Sequence, residues 1–329
     1  MELKDFISNQ FGVKEDIFLE ALTLSPSSQG YIMGAISEIL LRNYLHDNGY
    51  ETKRIKEKPS GGNNAKSSEA RGDFYIRKKD NPENGWLVIE SKGLKSNSEF
   101  RGSKLDSKEK LFRFLKPKAF PEVGIKEKIF LKGKITYSRA KDTWEKDNAG
   151  KTFPPFNWNA DTPGPDACNV RGLWKDEQDL KDWIDSQTDE SFAESAYRKL
   201  EGPIVILETH QPSNREAPIT GIGQAAPLVI DFNIMAVDLF LRTKKHEFVF
   251  MNATHISHSP TSPEHLYQNY TIDILVKGKK EELCITSPWY SDLDQCIDET
   301  NPSPRELDES QLDNRTTQEI STEIIAPTE

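Results

Sequence analysis

Cysteine and long apolar runs are both scarce in this chain. Its three cysteines, Cys168, Cys284 and Cys296, are far apart and form no C-x-x-C pair, which argues against a structural zinc site or a disulfide framework. No apolar run approaches the roughly 20 residues of a membrane helix. The first residues, MELKDFISNQF, lack the basic segment and apolar run of a signal peptide. We therefore expect a cytoplasmic protein that does not associate with a membrane.

Several catalytic motifs are absent as well. The chain has no Walker-type loop and no G-x-S-x-G elbow, which excludes the common forms of ATP-driven translocation and α/β-hydrolase chemistry. Gly221-Ile222-Gly223 lacks the third glycine and the preceding strand of a dinucleotide site. His255, His258 and His265 have no acidic or cysteine ligand close in sequence, so we interpret them as loop histidines rather than zinc ligands.

The stretch 72–93, GDFYIRKKDNPENGWLVIESKG, is the most informative part of the sequence. Two apolar-rich runs flank the turn Asp80–Gly85, a pattern typical of a β-hairpin. Side chains alternate faces along a strand, so Glu90 and Lys92 point the same way. A hairpin also brings the start of its first strand beside the end of its second. The sequence therefore predicts that Asp73 lies near Glu90 and Lys92.

This group suits magnesium chemistry. Mg²⁺ prefers carboxylate, carbonyl and water oxygens, so Asp73, Glu90 and the backbone carbonyl of Ser91 form a candidate site. Lys92 would orient a water molecule or offset charge in the transition state. The alternative is an ordinary exposed hairpin. Residues 86–89 are apolar on both faces, however, and buried strands seldom end in Glu and Lys without a partner.

Asp73, sixteen intervening residues and then Glu90-Ser91-Lys92 resemble the motif of the PD-(D/E)XK nuclease superfamily, which includes most type II restriction endonucleases. The resemblance covers residues 27–93 and departs at Gly72, where the family name has proline. It implies a Mg²⁺-dependent nuclease acting on double-stranded DNA. Family members also commonly carry a glutamate on the helix before the hairpin, which touches the metal through water or holds a second metal.

Glu38 matches that position. We predict its helix over about Gln29–Asp47, capped by Ser27-Ser28 and ended by Asn48-Gly49. Glu38 lies off the main apolar face, and an ion pair with Arg42 four residues on is the alternative to a metal-site role. The predicted apolar face consists of Ile32, Met33, Ile36, Ile39 and Leu40.

Charge is distributed unevenly along the chain. The net charge is −10, but residues 291–329 carry eleven acidic and two basic residues, which leaves −1 for residues 1–290. Residues 53–146 contain 25 basic and 13 acidic residues. A basic region around the candidate site favours a phosphate-rich partner. We expect the acidic, polar segment 291–329 to be disordered.

The other segments complete an α/β pattern. Residues 1–26 suggest two short helices, and 59–71 a polar loop beside the site. Lys126–Tyr137 alternates apolar and basic residues like a half-buried strand. A helix over 177–200, broken near 187–190, precedes the apolar run Pro203–His210, which predicts a central strand. Residues 270–277 and 282–286 suggest a second hairpin.

We therefore predict one α/β domain over residues 1–290, with a mixed central sheet flanked by helices like a restriction-endonuclease core. Its core elements would be 27–93 and about 177–210, with 94–176 as an insertion and 291–329 as a tail. The expected activity is sequence-specific cleavage of double-stranded DNA. A repair or structure-specific nuclease and a catalytically silent DNA-binding module remain alternatives. Since the hairpin supplies a single set of Asp73, Glu90 and Lys92, cutting both strands would require a homodimer.

Overall fold

A computed structural model describes residues 2–56, 71–102, 104–158, 170–210, 214–267 and 271–313. The helices are α1 Leu3–Phe11, α2 Glu15–Leu24, α3 Pro26–Asp47, α4 Lys108–Ala119, α5 Ile125–Asp147, α6 Glu177–Asp185, α7 Glu194–Arg198, α8 Phe240–Thr243 and α9 Leu293–Thr300. The strands are β1 Tyr50–Arg54, β2 Phe74–Lys78, β3 Leu87–Gly93, β4 Ile204–Glu208, β5 Arg215–Glu216, β6 Gly223–Gln224, β7 Ile234–Asp238, β8 Phe248–Asn252, β9 His258–Ser259, β10 Ser262–Leu266 and β11 Thr271–Val276.

A five-stranded sheet in the order β1-β2-β3-β7-β8 forms the centre of the fold. The β3–β7 pair is parallel and the other three pairs are antiparallel, so the prediction of an α/β fold with a mixed central sheet is confirmed. One face of the sheet packs against α3 and α9, and the other faces the two-stranded β4–β11 sheet. Helices α4 and α6 cover the far side of that second sheet. None of the described helices is long and apolar enough to cross a membrane.

Helix α3 brings the first core segment onto the sheet. It begins earlier than predicted, because Ser25 rather than Ser27-Ser28 is the N-cap and accepts a 3.4 Å hydrogen bond from the Ser28 amide. Its buried residues are Ser37, Leu41 and Leu45. The predicted apolar face is wrong in its first half, since Ile32 and Ile36 are exposed.

The segment predicted as a strand at Lys126–Tyr137 lies inside the 23-residue helix α5. Alternation over a short window misled the prediction, because the apolar contacts also recur at helical spacing. Gly133 lies directly against the Trp158 ring, and Trp144 farther along the helix is buried. The longer window therefore follows the helical period of 3.6 residues.

Two β predictions were wrong about partners. Pro203–His210 does contain the buried strand β4, but β4 pairs with β11 outside the five-stranded sheet. The strand parallel to β3 is β7 instead. Residues 282–286 form no strand, so the second hairpin is absent and β11 finds its partner in β4. Continuous apolar runs indicate burial but do not identify the neighbouring strand.

The predicted disorder of the acidic tail is wrong for residues 291–313. Helix α9 inserts Leu293 and Cys296 into the core beside β8. The chain then returns along the hairpin, where the Trp86 and Arg305 backbones form a bridge and the Tyr75 hydroxyl donates to Gln311 at 3.0 Å. The few apolar residues of this acidic segment are the ones that pack. Residues 314–329 and most of the predicted loop 59–71 lie outside the described residues.

The remaining helix predictions fared better. Two short helices precede α3, as predicted for residues 1–26. The segment 177–200 is broken between α6 and α7, with a short 3₁₀ turn at Asp189–Phe192. After α5, the described residues 148–158 and 170–172 contain no helix or strand.

Candidate active site

The hairpin of β2 and β3 positions the predicted carboxylates at the edge where β2 begins. Phe74 is paired with Ile89, and the Asp73 amide donates to the Ile89 carbonyl at 2.9 Å. The next step of backbone pairing is replaced by a side chain, since the Ser91 amide donates to Oδ2 of Asp73 at 2.6 Å. Asp73 and the Glu90-Ser91-Lys92 segment therefore converge, as the sequence predicted.

Beyond Ser91 the same edge of β3 is taken up by the end of β4. The His210 amide donates to the Gly93 carbonyl at 3.2 Å, and the Lys95 amide to the Glu208 carbonyl at 2.7 Å. Alternate residues of a strand direct their backbone groups to the same edge. The Ser91 carbonyl therefore faces the gap between β2 and β4, next to the Asp73 carboxylate.

Glu90 and Lys92 share the opposite face of β3 from Ser91 and contact each other directly. Nζ of Lys92 donates to Oε1 of Glu90, and the two side chains are only 16% and 12% exposed. Burial alone would lower the pKa of Lys92, but the carboxylates of Glu90, Asp73 and Asp231 outweigh it and raise the pKa. Lys92 is therefore a fixed cation within this site.

The surroundings of Asp73, by contrast, disfavour its charged form. Burial, followed by the charges of Glu90 and Glu38, raises its pKa well above the ordinary value, and the Ser91 amide and Lys92 only partly oppose this. Negative charge is thus concentrated around Asp73. A bound cation would relieve that repulsion.

Helix α3 contributes Glu38 and Ser37 from the other side of the sheet. Oγ of Ser37 and Oγ of Ser91 form a 3.1 Å hydrogen bond, which ties the helix to the site. Oε2 of Glu38 accepts a 2.9 Å hydrogen bond from Arg54 of β1, a partner that the sequence did not indicate. Glu38 therefore borders the site and is held by an arginine.

The donor set fits a hard divalent cation such as Mg²⁺, with Asp73, Glu90 and the Ser91 carbonyl as oxygen ligands. It is not a closed metal cage, because no three His, Cys, Asp or Glu side chains in the described ranges are grouped to hold an ion. Glu90 is instead paired with Lys92, and Glu38 with Arg54. Metal loading would require Glu90 to loosen its contact with Lys92.

Sequence reasoning missed the charged residues that adjoin this group from distant segments. Asp231, in the turn before β7, is close enough to raise the pKa of Lys92, and Glu90 in turn raises the pKa of Asp231. Arg71 and Arg215 lie beside Asp231 and act on its pKa in the opposite direction. His210 also borders the site, where burial, Lys95 and Lys92 lower its pKa. No local spacing relates these residues to the hairpin.

Comparison with known proteins identified no relative: no protein-family model, curated protein or solved structure matches this chain.

Proposed function

We propose that this protein is a Mg²⁺-dependent endonuclease that hydrolyses phosphodiester bonds of double-stranded DNA, similar to the type II restriction enzymes of the PD-(D/E)XK superfamily. The observation that carries the proposal is the convergence of Asp73, Glu90 and Lys92 at the gap between β2 and β4. Paired carboxylates beside a buried lysine are well suited to metal-assisted hydrolysis at a phosphate.

The residues of the chain would divide the work as follows. Asp73, Glu90 and the Ser91 carbonyl would hold Mg²⁺, which when bound supplies Lewis acidity and lowers the pKa of a water molecule. Lys92, kept cationic by its neighbours, would orient the attacking water or offset charge that develops on the phosphate. Glu38 would hold a second ion or contact the first through water, once released from Arg54.

Helix α5 is a candidate DNA contact. Lys132, Arg139 and Lys146 are exposed and follow one another at seven-residue intervals, so they lie along one side of the helix. A row of positive charges of this kind can bind the phosphate backbone of DNA whatever its base sequence. It supplies three of the 25 basic residues of 53–146.

We also propose a homodimer, since one site of this kind cuts one strand at a time. Nine large apolar side chains on α1, α2 and the start of α3 are exposed: Leu3, Phe6, Phe11, Ile17, Leu19, Leu24, Tyr31, Ile32 and Ile36. We call this set the N-terminal apolar surface. Ile17 and Leu24 lie on one side of α2 and Leu19 on the other, so one partner would cover part of this set, as a contribution to the ~800 Å² of a standard interface. A second copy of the chain would bury that part through two-fold symmetry.

A catalytically silent DNA-binding module is the second candidate. It is favoured by the ion pairs that occupy Glu90 and Glu38, since each carboxylate is neutralised without a metal. A repair or structure-specific nuclease would use the same residues on a different DNA substrate.

Incubation of supercoiled plasmid with the purified protein and Mg²⁺ separates these functions. Discrete fragments support restriction, a smear or cutting confined to branched substrates supports repair, and binding without cutting supports the silent module. Under the endonuclease proposal, Glu90→Gln and Lys92→Ala should each slow cutting at least about a hundredfold. Glu83→Gln and Lys79→Ala, at exposed positions of the same hairpin, are the matched controls and should cut normally. Wild-type rates in either site variant would refute the assigned site.

A further inference from the structure

Three charged side chains that no part of the proposed mechanism uses meet beside the hairpin. Nη2 of Arg215 lies 2.9 Å from Oδ1 of Asp231, and the two side chains are 11% and 4% exposed. Oδ2 of Asp231 accepts a 2.7 Å hydrogen bond from the Leu228 amide. The Arg71 amide donates to the Asp231 carbonyl at 3.0 Å, which fixes the backbone of Arg71 at the cluster.

The charges of this cluster are linked to those of the candidate metal site. Asp231 interacts electrostatically with two guanidinium groups, those of Arg215 and Arg71, and with the carboxylate of Glu90. Glu90 is itself paired with Lys92. Arg71 and Arg215 thus bring two positive charges to the one carboxylate of Asp231, beside the candidate metal ligands Asp73 and Glu90.

Arg71 also has an unused donor. Its Nε is buried and makes no hydrogen bond within the described part of the chain. Burying such a donor without a partner costs about 1–3 kcal/mol, so a movement of the side chain that lets a ligand oxygen reach Nε would be favourable. A guanidinium matches the oxygens of a phosphate group in particular.

The position of Arg71 is coupled to the candidate active site. Arg71 lies two residues before Asp73, and the intervening Gly72 packs directly on Val88 and Ile89 of β3. The backbone between the arginine and the aspartate therefore has little freedom. A phosphate held by Arg71 would lie next to the carboxylates rather than at a remote surface.

We propose that Arg71 binds a phosphodiester oxygen of the nucleic acid next to the metal-binding carboxylates, with Arg215 adding positive charge and Asp231 orienting and moderating the cluster. This inference rests on the proposed function for its ligand class. Arg71 is a binding residue in this scheme, and Asp231 is a positioning residue.

Binding of a fluorescent 30-base-pair duplex, measured by anisotropy in EDTA over a range of KCl concentrations, tests the proposal. Arg71→Ala should weaken binding about tenfold and reduce the salt slope by about one. Arg71→Lys should recover part of the loss, since it keeps the charge without the planar fork. Lys79→Ala, exposed near the hairpin turn, is the matched control and should stay within about twofold of wild type.

Asp231→Asn should change the duplex affinity in the opposite direction to Arg71→Ala. Removing the carboxylate makes the net charge around Arg71 and Arg215 more positive, so this variant should bind the duplex more tightly than wild type. A purely structural role for the cluster would weaken binding in both Arg71→Ala and Asp231→Asn. Thermal melts show whether each variant is folded, and if Arg71→Ala is not, Arg71→Lys and Asp231→Asn decide the question.

The proposal is overturned if the wild type does not bind the duplex, if the folded Arg71 variants bind like wild type, or if Asp231→Asn binds more weakly. Failure of the endonuclease proposal gives a different result. A wild type that binds the duplex in EDTA but never cuts with Mg²⁺ would remove the catalytic function and leave the phosphate site standing.

Discussion

Gly72 is the residue at which the site's backbone has the least room. A Cβ at this position would lie 2.4 Å from Cγ1 of Val88 and 2.7 Å from the Ile89 carbonyl oxygen. Proline, which the family name has here, carries a Cβ as well and would meet the same atoms. The departure from the family motif is therefore matched by a close packing of the chain across β3.

Gly72→Ala should accordingly destabilise the protein by about 1–3 kcal/mol, as overpacking does, and slow any cutting because Asp73 would shift. Urea denaturation measures the stability change. Gly34→Ala on α3 is the control, because a Cβ there meets nothing within 4 Å and alanine favours a helix by up to about 1 kcal/mol. Equal stability of Gly72→Ala and wild type would show that β3 yields easily.

Asp231 predicts a specific pH dependence of stability. Burial raises its pKa to about 6, Glu90 adds to this, and Arg215 and Arg71 oppose it. The folded state therefore keeps a proton that the unfolded chain releases at the ordinary pKa of about 4. Between these pH values the folded state binds the proton more tightly than the unfolded state does. Stability therefore falls as the pH rises from about 4 to 6.

Asp231→Asn should lack this component. The difference in unfolding free energy between wild type and variant should change by up to about 3 kcal/mol, in favour of the variant, between pH 4 and pH 7. Urea titrations at several pH values provide the measurement. Taking the difference removes the contributions of Asp73 and Glu99, whose pKa values are also raised. A difference that does not depend on pH would contradict the assignment.

Local pattern explains which site residues could be predicted. Asp73, Glu90 and Lys92 belong to one hairpin, so strand alternation and one turn suffice to bring them together. Arg71 is adjacent in sequence, but its partner Asp231 is 160 residues away and reaches it only through the β3–β7 pairing. Long-range pairing of this kind leaves no trace in the spacing of residues.

At the level of elements, α9 and the strand-like return of residues 301–313 are part of the core. Leu293 and Cys296 are buried, and Asp313 and Gln311 make backbone hydrogen bonds to β1 and the residues after it. Truncation after Tyr290 should therefore lower the unfolding free energy by at least about 3 kcal/mol, the value of burying one or two large side chains. Truncation after Asp313 removes none of these contacts and is the control. Identical melting temperatures for both truncations would show that α9 contributes little.

The basic stripe of α5 gives a second prediction for an element. Neutralising Lys132, Arg139 and Lys146 together should weaken duplex binding and lower the salt slope by about 2–3, because each contact releases close to one counterion. The same anisotropy titration is the measurement. Lys175, Lys181 and Lys199, which are exposed on or next to α6 and α7, provide a control of equal charge. An unchanged salt slope would place the DNA elsewhere.

The error at α5 and the success at the hairpin have one physical origin. Composition and short-range alternation report burial, and burial alone does not distinguish a helix face from a strand face over twelve residues. The hairpin was predicted correctly because its turn residues add independent information. The acidic tail shows the converse, since its average composition hides the few apolar side chains that anchor it.

At the scale of the whole molecule, the N-terminal apolar surface separates a monomer from a dimer. Helices α1 and α2 have 9 and 10 residues, lengths at which isolated helices are marginal in water, and Ile7 is their only buried residue among those described. The side chains of the surface are 37% to 82% exposed. Packing two copies of this surface against each other would stabilise α1 and α2 in both chains. It would also bring two candidate active sites into one dimer.

Sedimentation velocity should therefore show a dimer, and Ile17→Glu with Leu24→Glu should convert it to a monomer. These two residues lie on one side of α2 and are 53% and 74% exposed, so the charges enter the interface without entering the core. Leu131→Glu with Ile135→Glu, similarly exposed on α5, is the control and should remain dimeric.

The monomeric variant should nick one strand per binding event, whereas the dimer should cut both, because each chain carries one Asp73, Glu90 and Lys92 set. A wild type that sediments as a monomer with and without DNA, yet cuts both strands in one event, would contradict both the interface and the need for two sites.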